Sequence, residues 1–194
     1  MTLSRNLAAF LGIGAMALST AAQAQQDTCI SAAELDSMLR YSLADVIDGA
    51  ATACRPTLGT AAFLASDGPA LIQRYRVAQP EAWPAARHGL MKVTGADGEK
   101  DKMAGLMSKL PDEALKPFVS GLIKQMVSGA VKPKDCATVD QTVRLLAPLP
   151  VENMAGLLTL IVQRVDKPTA DKKQRLPLCR IEPVLPGFPA APGH

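Results

Sequence analysis

Few side chains in this chain could carry chemistry. Histidine occurs twice, at His88 and His194, and cysteine four times, at Cys29, Cys54, Cys136 and Cys179. A nucleophile–histidine arrangement would have to be built around His88, yet no G-x-S-x-G elbow is present and the cysteines read as oxidised. His88 lies in AARHGL, beside a glycine that breaks the helical pattern. Imidazole near a helix C-terminus is electrostatically favoured, so a surface role is sufficient. Asp112-Glu113 place two carboxylates together, but at a predicted helix start, where negative charge is stabilising in any case.

Metal chemistry rests on equally thin ground. Met103 and Met107 stand one helical turn apart, and thioethers are ligands for copper(I). No further Met or His adjoins them, and methionines at this spacing serve as core filler. TGADGEKDK at 94–102 lacks the alternating acidic ligands and closing glutamate of a calcium loop. No cysteine pair has C-x-x-C spacing, and no Gly-rich phosphate loop, dinucleotide fingerprint or zinc motif occurs. The expectation is a chain without catalytic residues, cofactor or metal site.

The N-terminus fixes how the cysteines are read. Arg5 precedes an uncharged apolar stretch from Leu7 to Leu18, and Ala22-Gln23-Ala24 supplies a small-x-small cleavage pattern. The stretch is short for a bilayer-spanning helix, which needs about 20 apolar residues. Gln26, Asp27 and Thr28 precede Cys29, which excludes a lipid-modified cysteine. We therefore expect a bacterial Sec-type signal peptide at 1–24, cleaved after Ala24, with no membrane segment remaining and a periplasmic or secreted mature chain. In an oxidising compartment four cysteines imply two disulfides. Sequence proximity suggests Cys29–Cys54 and Cys136–Cys179.

Composition narrows the partners. Removing 24 of 194 residues leaves 170, and Arg5 is the only charge lost, so 20 basic residues face 18 acidic ones. A near-neutral chain argues against nucleic acid, which requires a concentrated basic footprint. The run KPTADKKQR at 167–175 is diluted by Asp171 and lacks an adjoining amphipathic face, so it reads as a solvated loop and not a membrane contact. Six aromatic residues follow the signal, too few for a stacking platform.

The elements are helical throughout. ISAAEL carries a capping box from Ser31 to Glu34, with Ile30 and Leu35 spaced as a hydrophobic staple. If Cys29 pairs with Cys54, the following segment must fold back, because disulfide Cα atoms lie about 5.5 Å apart. Ser42 and Asp45 suggest a second cap, giving two short helices, about 31–41 and 43–53. Further helices are expected near 60–65, from Pro69 to Ala78, and around Trp83 to Val93. Another ends near Pro111. The stripe Leu115 to Val127 should kink or start late at Pro117, since an interior proline costs about 3 kcal/mol. Thr138 and Gln141 form another capping box. Pro150 opens a helix apolar around most of its circumference, read as the central buried helix of its half. The segments 110–126 and 149–165 align without gaps, 39 residues apart, as two copies of a helical hairpin would.

These observations predict an all-α fold, a bundle of seven or eight short helices within residues 25–180. Its halves, 25–95 and 102–180, would each be braced by a disulfide, with a Pro-rich extended tail at 181–194. The expected function is a non-catalytic accessory module that binds a protein partner through an apolar helical groove. The alternative is a carrier holding a small hydrophobic ligand such as a lipid in a helical cavity.

Overall fold

The computed structural model describes residues 29–95, 100–166 and 176–179. The signal segment, the basic run at 167–175, the tail from 181 and His194 lie outside the described residues. Within them the chain forms eight α-helices: α1 (Ala32–Cys54), α2 (Phe63–Ser66), α3 (Gly68–Arg76), α4 (Gln79–Gly95), α5 (Lys100–Lys109), α6 (Asp112–Ala130), α7 (Cys136–Leu146) and α8 (Val151–Val165). A 3-10 turn, Pro133–Asp135, leads into α7. The all-α expectation holds.

Helix α1 starts where its sequence dictates. The Ser31 hydroxyl accepts from the Glu34 amide at 3.2 Å, and the Glu34 carboxylate accepts from the Ser31 amide at 2.8 Å. Ile30 and Leu35 are both buried, as a hydrophobic staple requires. The break expected near Ser42 does not occur. The helix continues for 23 residues, roughly 34 Å at the usual helical rise. The Ser42 hydroxyl donates back to the Leu39 carbonyl at 3.2 Å instead of capping a new helix. Asp45, the other half of the expected cap, is 2 % exposed and faces neighbouring helices.

A straight α1 makes the local disulfide impossible, and the pairing differs from the one expected. Cys29 bonds Cys179, and Cys54 bonds Cys136. The two corrections share one cause. Proximity in sequence suggested Cys29–Cys54, and that pairing alone demanded a broken helix. With α1 intact, each of its ends is instead tied to the second half of the chain.

Helix α1 is the axis of the bundle, packed against α3, α4, α6 and α8 and touching α2 and α7. One apolar cluster joins Leu43, Ala44 and Ile47 of α1 to Leu71, Ile72 and Tyr75 of α3 and Val151, Met154 and Ala155 of α8. A second joins Tyr41 to Ala82, Trp83 and Ala86 of α4, Met107 of α5, and Leu115 and Val119 of α6. Both clusters draw on residues from either side of the 96–99 segment. The bundle is centred on α1, and 151–165 is not the buried centre of its half that its sequence suggests. Helix α8 keeps Leu157, Leu160, Ile161 and Val165 exposed.

Three other helix boundaries differ in detail. Helix α6 begins at Asp112 and runs through Pro117. The proline sits in the second turn, where the carbonyl it leaves unbonded is near the helix end. Helix α7 begins at Cys136 and not at Thr138, because the Pro133 turn and the Cys54–Cys136 bond fix its first residue. Helix α4 continues past Gly89 to Gly95. His88 is consequently an exposed mid-helix residue and not a C-terminal one.

Contacts far apart in sequence lock the helices together. Asp140 of α7 accepts from the amides of Phe63 and Leu64 at 3.2 and 2.7 Å, capping α2 with a carboxylate from another helix. The Tyr75 hydroxyl donates to the Leu149 carbonyl at 3.0 Å, and Arg74 donates to the Ala147 carbonyl. At Gly49 the backbones of α1 and α6 approach closely. A Cβ there would lie 2.8 Å from the Lys124 carbonyl oxygen and 3.0 Å from Val127 Cβ.

Candidate interaction surface

The residues singled out for chemistry are scattered. Met107 is buried in the second apolar cluster, as core filler would be. Met103 lies on the same helix, and its side chain is outside the described residues. Asp112 and Glu113 occupy the first turn of α6, where Asp112 pairs with Arg87 at 3.4 Å. All four cysteines are consumed in the two bridges. Among the described residues no group of three or more His, Cys, Asp or Glu is placed to hold a metal ion.

Polar groups instead gather between α1, α3, α4 and α6. Lys124 of α6 lies 2.7 Å from Asp48 and 3.7 Å from Asp45. Arg76 meets Asp48 at 3.1 Å, and the Gln79 amide donates to the Tyr41 carbonyl and to Asp45. Two carboxylates thus face two cations, and the amide adds a donor to a helix carbonyl and to the buried Asp45 carboxylate. Buried charges demand this kind of pairing. The network helps set the mutual placement of four helices.

Nearby, Tyr41 and Trp83 stack with ring centroids 4.8 Å apart, and the Lys116 ammonium lies 5.5 Å above the Trp83 ring. Burial pushes the Tyr41 phenol above its ordinary range. A Ser120 hydrogen bond opposes this, and Asp45 and Asp112 add to it. Tyr75 is likewise raised by burial, partly offset by Arg74. For Glu34, burial works to raise the carboxyl pKa. The Lys92 hydrogen bond and charge, with the Ser31 bonds, outweigh it and hold the group below the usual range. Each of these shifts is explained by a packing or capping contact, so none singles out a catalytic group.

Clefts cut the surface among the described residues. One of about 540 Å³ lies between α1, α2 and α3, with Leu58, Leu64 and Ile72 as its apolar wall and Asp48, Arg55 and Arg76 among its lining. Another of about 400 Å³ lies between the end of α3 and the turn before α8. More apolar surface stands on the helices themselves. On α6, Phe118, Leu122 and Met126 are 49, 43 and 58 % exposed at a spacing of four residues. That row is one helical ridge, about 12 Å long from first to last. Helix α8 carries Leu157, Leu160, Ile161 and Val165 in the same condition.

Sequence periodicity marks the α6 stripe but not how much of it a neighbour covers. Leu115 and Val119 take the buried positions, and Phe118, Leu122 and Met126 on the adjoining ridge are left outside. A strip of seven apolar residues is wider than the face α1 can cover, which is the signal a closer reading could have used. Among the described residues no helix is long and apolar enough to cross a membrane. No family model, no curated protein and no solved structure matches this chain.

Proposed function

We propose that the protein is a non-catalytic binding module that docks an amphipathic helix of a partner protein on the outer ridge of α6. The observation that carries this reading is the row Phe118, Leu122 and Met126, half exposed at i, i+4 and i+8 on a helix whose opposite face is already packed against α1. An i±4 ridge fits the groove of a second helix, and methionine adapts to the shape of what meets it. Helix-in-ridge docking relies on such anchors at successive turns. Export to a periplasm or the cell exterior accompanies the proposal. It is supported by the two disulfides and by the apolar, small-residue pattern of the first 24 residues.

A photo-cross-linking residue placed at Leu122 in the native host tests the reading. The expected product is an adduct with a single partner protein, abolished when Phe118 and Met126 are changed to serine. An absence of adducts, or adducts with a second copy of the same chain alone, would overturn it. The alternative of a carrier draws on the 540 Å³ cleft, whose volume suits a small ligand. Native mass spectrometry showing a co-purifying lipid would favour the carrier over the docking module.

A further inference from the structure

The two disulfides differ in what surrounds them. Cys54 and Cys136 are both 0 % exposed, joining the last residue of α1 to the first of α7 inside the larger apolar cluster. Cys29 and Cys179 are partly exposed, and neither lies in a helix. Their bond holds the segment Leu176–Cys179 alongside the residue that precedes the α1 cap. The Ile30 amide donates to the Pro177 carbonyl at 2.6 Å, and the Cys179 amide donates to the Ile30 carbonyl at 2.9 Å. The Leu176 amide donates to the Asp166 carboxylate just beyond α8 at 2.8 Å. Beneath this strap Ile30 is 1 % exposed.

We propose that Cys29–Cys179 is a site of thiol–disulfide exchange, addressed by a dithiol reductant, and that its opening releases the strap from Ile30 while the fold persists. Exchange requires a thiolate to approach one sulfur along the bond axis, so access decides which bridge reacts. The partly exposed pair satisfies that condition, and the fully buried pair does not. In the first step a reductant thiolate bonds to the sulfur of one cysteine, and the other leaves as a thiolate. The second reductant thiol then attacks the mixed disulfide. The protein gains two electrons and two protons as two thiols, and the dithiol is oxidised to its own disulfide.

The consequence of opening is local. The bridge between α1 and α7, the apolar clusters and the Asp140 cap do not involve the strap. Once untied, the strap keeps its backbone bonds to Ile30 and the bond from Leu176 to Asp166, contacts outside any helix of the kind that open at low free energy. Release uncovers the Ile30 side chain together with its amide and carbonyl, an extended edge to which another strand could add. This property is independent of docking on α6.

Titration of the oxidised full-length mature chain with dithiothreitol, followed by iodoacetamide quenching and peptide mapping, tests the proposal. Cys29 and Cys179 are expected to take label at a reductant concentration at least tenfold below that needed for Cys54 and Cys136. At that concentration the helical circular dichroism should be unchanged, while amide exchange at Ile30 and Cys179 rises at least tenfold. The Cys29→Ser/Cys179→Ser variant should show the same exchange rates without reductant. Labelling of all four cysteines together, loss of helix at the first reduction, or undiminished Ile30 protection in the variant would each overturn it.

Discussion

The inner bridge offers the sharpest quantitative test. Replacing Cys54 and Cys136 together with alanine removes a bond that closes a loop of 82 residues. In the chain-entropy description such a loop restrains the unfolded chain by about 4.5 kcal/mol at 25 °C. The Cys29–Cys179 bond already restrains the same chain from outside, which lowers the increment to about 4 kcal/mol. Both sulfurs are fully buried, and the space they leave adds roughly 1 kcal/mol. A total near 5 kcal/mol matches the low end of whole-domain stability, about 5–15 kcal/mol. Urea unfolding followed by circular dichroism should show the midpoint falling sharply, and the thermal midpoint should drop by about 10–20 °C. A loss below about 1 kcal/mol would mean that the unfolded chain is already held together near these residues, and the loop reasoning would be wrong.

Three further outcomes are expected. Gly49→Ala places a methyl 2.8 Å from the Lys124 carbonyl oxygen, so α1 and α6 must separate, at a cost of about 1–3 kcal/mol in urea unfolding; unchanged stability would show that the crossing yields freely. Asp140→Ala removes the carboxylate that caps α2 and should cost about 1–2 kcal/mol, with faster amide exchange at Phe63 and Leu64, whereas exchange confined to α7 would contradict the assignment. Glu34 has its carboxyl pKa lowered in the folded state, so its contribution is complete above the unfolded value near 4.5 and is lost as pH falls through the lower folded value. Stability measured from pH 7 down to pH 3 should therefore decline less steeply in Lys92→Met than in the parent, and parallel curves would count against the Glu34–Lys92 pair.

What could be read from the sequence was whatever neighbours decide. The Ser31–Glu34 box, the Pro150 start and the apolar periodicities all act within one or two turns, and the helices that the box and Pro150 open begin where they were expected. Thr138 and Gln141 had the same local pattern and failed, because Cys136 is fixed by a residue 82 positions away. Asp140 reads as an ordinary helix-surface carboxylate until α2 is brought against it. Periodicity finds an apolar stripe but not how much of it a neighbour covers. That is why α8 was expected as the buried centre of its half, although Leu157, Leu160, Ile161 and Val165 are exposed.

The bridges are nested, Cys29–Cys179 outside Cys54–Cys136. A protease that severs one peptide bond anywhere between Cys29 and Cys179 therefore releases no fragment, since the outer bridge still unites the two pieces. When the severed bond lies between Cys54 and Cys136, two covalent ties remain instead of one. Such a nicked molecule would migrate as a single species until reduced, and it would retain the means to re-form its native packing after damage.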